Sequence, residues 1–103
     1  MHIMAPCPVI LLADRSIPNV ATIAKNLEEG LADVVEFLYE DADPSSIALA
    51  IAIGGDGTLI SQGRNLAEKN IPLIGVNSGR LGFLAKFDTK SLIEHRKSIF
   101  ASD

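Results

Sequence analysis

Cysteine is nearly missing from this 103-residue chain, where Cys7 stands alone. A single thiol makes neither an internal disulfide nor a multi-cysteine zinc site, and that scarcity fits a reducing compartment. Clustered positive charge is also missing. Nine Lys and Arg against 13 Asp and Glu leave a net charge of −4, which argues against nucleic acid as the main partner and against docking on an anionic membrane. Long apolar runs do not occur. The stretch Val9 to Ala13 is too short for a membrane span or a signal-peptide core, and Met1-His2-Ile3-Met4-Ala5-Pro6 has no basic segment before it. The expectation is a soluble cytoplasmic protein. No repeat and no low-complexity stretch is visible, and 48% hydrophobic with 21% charged residues suits one small globular domain.

What the chain does have is an alternation of apolar runs with helix-period segments. Pro8-Val9-Ile10-Leu11-Leu12-Ala13 reads as a strand buried on both faces. Ser16 to Asn19 carries helix-start chemistry, with Pro18 suited to a first turn. Val20, Ile23, Ala24, Leu27 and Leu31 then form one apolar stripe, which Gly30 weakens or ends. Val34 to Tyr39 reads as a strand nearer the sheet edge, and Asp41 to Ser46 as a loop or short helical turn. Leu49 to Ile53 is the expected central strand. Thr58 to Lys69 reads as a helix with Leu59, Ile60, Gly63, Leu66 and Ala67 inward. Pro72 to Val76 reads as a further buried strand ending at Asn77. A glycine-spaced loop, Ser78 to Gly82, leads to Phe83-Leu84-Ala85. Asp88 suits an N-cap, and Leu92, Ile93, Arg96, Ile99 and Phe100 share one helical face. Strands alternating with helices imply β-α-β units with right-handed crossovers. The expected fold is an open α/β sheet of about four parallel strands with helices on both sides. Ligands of such sheets sit beyond the carboxyl ends of the strands.

Two loops meet that edge. Gly54-Gly55-Asp56-Gly57-Thr58 reads as a tight turn between a strand and a helix. Glycine permits positive φ and close backbone approach, and successive N–H groups at a helix start bind anions. No Lys follows, so this is not a P-loop. Asp56 instead stands beside the phosphate cradle, where two like charges at about 4 Å repel by roughly 4 kcal/mol at an intermediate dielectric. Two arrangements resolve the conflict: Asp56 holds a Mg²⁺ that bridges phosphates, or it accepts a proton from an attacking hydroxyl. Helix capping by Asp56 is the plainer alternative. In the second loop, Asn77 can donate and accept at a strand end, Gly79 and Gly82 allow close approach, and Phe83 offers an aromatic face. Arg80 suits a phosphate or a surface carboxylate.

Gly54-Gly55-Asp56-Gly57-Thr58, followed by Ile74-Gly75-Val76-Asn77-Ser78-Gly79-Arg80-Leu81-Gly82-Phe83-Leu84, resembles the NAD kinase family. The first motif is shared with diacylglycerol-type and sphingosine-type lipid kinases and loosely with phosphofructokinases; the second is far more particular. The resemblance implies transfer of a phosphoryl group from ATP, or polyphosphate, to the 2′-hydroxyl of the adenosine ribose of NAD, with a divalent metal, Mg²⁺, as cofactor. It implies Asp56 as proton acceptor, Gly57 as a backbone contact to the dinucleotide, and Leu81 and Phe83 as apolar contacts near the adenine. Gly54, Gly55 and Thr58 would shape the phosphate end, and Asn77 joins the binding set. The family is usually oligomeric.

The resemblance also implies parts that residues 1–103 do not contain: a second, all-β domain and a downstream Asn-Glu or Asn-Asp pair. The chain is therefore expected to be the amino-terminal α/β domain, holding half of the active cleft. Ser61 stands where some members carry a basic residue. A diacylglycerol-type lipid kinase domain is the alternative enzyme, although it leaves Asn77 to Leu84 unexplained. A non-catalytic nucleotide-binding fragment is the other alternative. His2, His95, Cys7 and the acidic stretch Glu40, Asp41 and Asp43 read as terminus, solvated face, inert thiol and solvated loop. Asp14 reads as turn chemistry with Arg15 and Ser16.

Overall fold

Two apolar runs become the middle of a parallel sheet. In the computed structural model, which describes residues 6–39, 41–78 and 88–100, β1 (Cys7–Leu12) pairs with β3 (Leu49–Gly54), from Val9 opposite Leu49 to Leu12 opposite Ala52. β2 (Val35–Leu38) adds to the outer side of β1, and β4 (Leu73–Asn77) to the outer side of β3. The order is β2-β1-β3-β4, with every pairing parallel. As expected from its composition, β3 is central: Ala50 to Gly54 are all buried. β4 was expected to be buried too, but it lies at an edge of the described sheet, and only Val76 of its five residues is buried.

The pleat sends successive side chains to opposite faces. Val9, Ile51, Ile53 and Val76 meet α1 (Pro18–Gly30) on one face, through Val20, Ala24, Leu27 and the following Leu31. Ile10, Ala50 and Ala52 face the other way, toward Leu59 and Leu66 of α2 (Asp56–Glu68). Only part of the expected inward set of α2 meets this face. Leu59 and Leu66 are buried, but Ile60 and Ala67, each turned about 100° further round the helix, face solvent.

Helix ends follow local chemistry. Pro18 occupies the first turn of α1. α2 ends in a Schellman motif: Ile71 N–H donates to the Leu66 carbonyl (3.0 Å) and Asn70 N–H to the Ala67 carbonyl (3.1 Å), with Asn70 at φ 57°. The last helical stretch was expected to be continuous, yet it divides into α3 (Thr89–Glu94) and α4 (Arg96–Phe100) at His95. Side chains turn back there to carbonyls of α3 that also accept the His95 N–H. His95 Nδ1 lies 3.0 Å from the Ser91 carbonyl, and Arg96 Nη1 donates to that of Ile93 at 2.9 Å. Asp88 caps α3 as expected, accepting from Ser91 N–H at 2.7 Å. Cys7 begins β1, remote from the strands' carboxyl ends, and burial pushes its thiol pKa up, away from the reactive thiolate.

Candidate active site

The strand order sets where a ligand can enter. α1 carries the chain from β1 outward to β2, and α2 carries it from β3 outward to β4. The connections part between β1 and β3, and this switch point opens a crevice at the carboxyl ends of the strands. A cleft of about 400 Å³ lies there, within the size range of small-molecule sites. Leu12, Ala13 and Asp14 form its β1 side, Ile53, Gly54 and Gly55 its β3 side, and Ile17, Asn19 and Val20 the start of α1. Thr58 and Gln62 of α2 and Ser78 complete it.

Both helices that begin at this cleft start without a side-chain cap. Ile17 is the N-cap of α1 and Gly55 that of α2, and neither accepts an N–H with its side chain. The short 3₁₀ turn Pro44–Ser46 and α3 are both capped by aspartates, Asp43 and Asp88. First-turn N–H groups without a side-chain acceptor are donors for an anion. The N-cap position belongs to Gly55, and Asp56 lies one residue further on, inside the first turn of α2. Its charge suits the positive end of the helix dipole.

The motif Gly54 to Thr58 therefore differs in form from the expected tight turn. Gly54 ends β3, Gly55 is the N-cap, and Asp56, Gly57 and Thr58 already form helix, two residues before the expected start. Positive φ is not the reason for these glycines, since no described glycine has it. Gly54 is required by space: a Cβ there would lie 2.8 Å from Thr58 Cβ and 2.9 Å from Thr58 Cγ2. At Gly55 and Gly57 a Cβ would meet nothing within 4 Å, so their bare backbones border open space. That is the arrangement expected where a ligand lies against the chain.

Gly54 and Asn77 are register partners at the end of the β3–β4 ladder, so the two motifs share one edge. Asp56 is half-buried, and Asp56 and Asn77 each have an interaction partner in the chain. Gly54, Gly55 and Thr58 line the cleft; Asp56 and Gly57 fall between lining residues in sequence without lining it themselves, and neither does Asn77. Leu81 and Phe83, with Arg80 and the rest of the Gly79 to Ala85 segment, lie outside the described residues, as does His2.

Asp14 combines its expected turn role with a place in the cleft. Ser16 Oγ and Ser16 N–H donate to its Oδ1 at 2.5 and 3.0 Å, and these bonds hold its carboxyl below the usual range. Sequence reasoning passed over two lining residues. Gln62 lies one helical turn after Thr58, a spacing that could have revealed it. Asn19 Nδ2 donates to the Ser78 carbonyl across 59 residues of sequence, which no local pattern announces.

Comparison with known proteins agrees with this architecture. Residues 12–103 match the model of the ATP-NAD kinase N-terminal domain. An NAD kinase of an Azoarcus species is 43% identical over 70 residues, 68% of this chain and 24% of that protein. One from Rhodopirellula baltica is 32% identical over 96 residues, 86% of this chain and 30% of that protein. The chain thus spans less than a third of the curated relatives' length. The crystal structure of an NAD kinase from Archaeoglobus fulgidus in complex with ATP shares the fold, with TM-score 0.56 and 21% identity, covering 92% of this chain and 37% of that one. With its two motifs meeting at one sheet edge and its sequence matched almost throughout, the chain belongs to the NAD kinase family, as part of the amino-terminal α/β domain.

Proposed function

We propose that the protein carrying this chain transfers a phosphoryl group from ATP, or polyphosphate, to the 2′-hydroxyl of the adenosine ribose of NAD, making NADP. One observation carries the reading: Asp56 sits in the first turn of an uncapped helix beside the switch-point cleft, level with the β3–β4 rung formed by Gly54 and Asn77. The donor's phosphates lie against the first-turn N–H groups of α2 and the bare backbone of Gly55 and Gly57, with Thr58 shaping the wall. Asp56 accepts the proton of the attacking hydroxyl, so the site's negative charge is neutralised as the new P–O bond forms. Asn77 orients the acceptor, and Leu81 and Phe83 flank its adenine.

Mg²⁺ fits this donor set as an ion carried by the nucleotide. Among the described residues no group of three or more His, Cys, Asp or Glu side chains could hold a metal, and Mg²⁺ is usually held by one or two carboxylates together with substrate phosphates. Asp14, which lines the cleft, and Asp56 are the candidate carboxylates. When bound, the ion offsets phosphate charge.

The domain supplies half of the active cleft, and an all-β domain of the same protein supplies the other half. The complete enzyme is cytoplasmic and homo-oligomeric and binds neither nucleic acid nor membrane. The net charge of −4 supports the first exclusion. For the second, no helix among the described residues is long and apolar enough to cross a membrane. The test is direct: the full-length protein, incubated with NAD, ATP and Mg²⁺, forms NADP. Phosphorylation of diacylglycerol in place of NAD would contradict the reading.

A further inference from the structure

Tyr39, just beyond the end of β2, is 80% exposed, the most exposed large hydrophobic side chain among the described residues. It lines a second cavity, about 370 Å³, with Leu11, Ala13, Arg15 and Leu38. Ala13 also lines the switch-point cleft, so the two spaces are neighbours at the exit of β1. The cavity has an apolar floor of two leucines, an aromatic side chain and a guanidinium. Arg15 is held in place by Glu28 at 2.9 Å. The backbone at Tyr39 is fixed too, because its carbonyl accepts the Ala42 N–H at 2.9 Å. A flat π-system is the guest these groups suit, through stacking on the ring and cation–π contact with the guanidinium.

We infer that the Tyr39–Arg15 cavity takes the purine base of the phosphoryl donor, whose phosphates run past Ala13 into the switch-point cleft. The inference rests on the proposed function. Sheet order assigns the donor rather than the acceptor. β2 and β4 are opposite edges of the described sheet, and the proposed function gives the acceptor's adenine to Leu81 and Phe83, which follow β4 in sequence. From β2 to β3 is two strand spacings, about 10 Å, which the ribose and phosphates of a nucleoside triphosphate bridge.

The test compares Tyr39→Ala, Tyr39→Phe and wild type as full-length protein, with KM measured separately for ATP and NAD. The expected result is a KM for ATP raised about 5- to 100-fold in Tyr39→Ala, the usual worth of one base–aromatic stack. KM for NAD stays unchanged, and Tyr39→Phe, which keeps the ring, recovers most of the loss. An unchanged KM for ATP in Tyr39→Ala, or a rise confined to NAD or equal for both, overturns the inference while leaving the proposed function standing. A wild-type protein that forms no NADP overturns both.

Discussion

Gly54 and Asn77 face each other across the final rung of the β3–β4 ladder. This pairing makes one edge of two loops separated by more than twenty residues, and it is intolerant of added volume at one end. A Cβ at Gly54 would press on Thr58 at 2.8 Å, whereas one at Gly55 would meet nothing. Gly54→Ala is therefore expected to cost about 1–3 kcal/mol of stability. Gly55→Ala should leave stability within about 1 kcal/mol but lower kcat/KM roughly ten- to hundredfold by crowding the nucleotide. Thermal melts of the full-length variants together with NADP-forming rates check both halves; equal melting losses would contradict the contrast.

Gly30 is a packing residue. A Cβ there would lie 2.5 Å from Ile93 Cδ1 and 2.8 Å from its Cγ1, so the end of α1 and α3 touch because one residue lacks a side chain. Gly30→Ala gains helix propensity of about 1 kcal/mol and meets an overpacking cost of about 1–3 kcal/mol, for a net loss. In an Ile93→Ala background, which removes Cδ1, Cγ1 and Cγ2, the same substitution should become neutral or stabilising. Urea unfolding of the double-mutant cycle measures the coupling, expected at about 1–2 kcal/mol; simple additivity would refute the contact.

Asn70 holds φ 57° at the end of α2, a left-handed conformation that costs a non-glycine residue about 1–2 kcal/mol. Asn tolerates it better than most, so Asn70→Gly should raise the melting temperature slightly and Asn70→Val should lower it clearly. The reverse order would show that the Schellman closure through Ile71 does not form.

Acid should loosen the fold in a definite direction. Arg96 hydrogen-bonds Asp33 and holds its carboxyl below the usual range, and Ser45, Ser91 and Ser16 do the same for Asp43, Asp88 and Asp14. Carboxyls with depressed folded-state pKa values add stability that is fully present above their unfolded values, near 3.9. That stability is lost as pH falls through the lower folded values. The urea midpoint should be flat from about pH 7 to 5 and fall below about pH 4, and less steeply in Asp33→Asn. A flat midpoint down to about pH 3 would contradict these bonds.

The fold was largely readable because its strands are short apolar runs and its first helix carries one clean stripe from Val20 to Leu31. The errors have physical causes. Periodicity identifies the ridges of α2 but not which of them rest on the sheet, so it groups Ile60 and Ala67 with the buried Leu59 and Leu66 although both are exposed. An apolar run reads alike in a central and an edge strand, so β4 was overrated. At the division, the His95 and Arg96 side chains turn back to carbonyls of α3, and the apolar period continues in phase across it, so periodicity does not reveal the break. At the site, the motif glycines were legible as a place but not as a geometry: one avoids Thr58, two border open space, and none uses positive φ. Asn19 was invisible because its partner is 59 residues away.

The decisive measurement is NADP formation by full-length Asp56→Asn with saturating NAD, ATP and Mg²⁺. Loss of a general base predicts a fall in kcat of about 10²- to 10⁴-fold, far more than the small stability loss of about 0.3–1 kcal/mol expected from removing a first-turn charge. A variant that turns over at the wild-type rate would contradict the assignment of Asp56 as the proton acceptor.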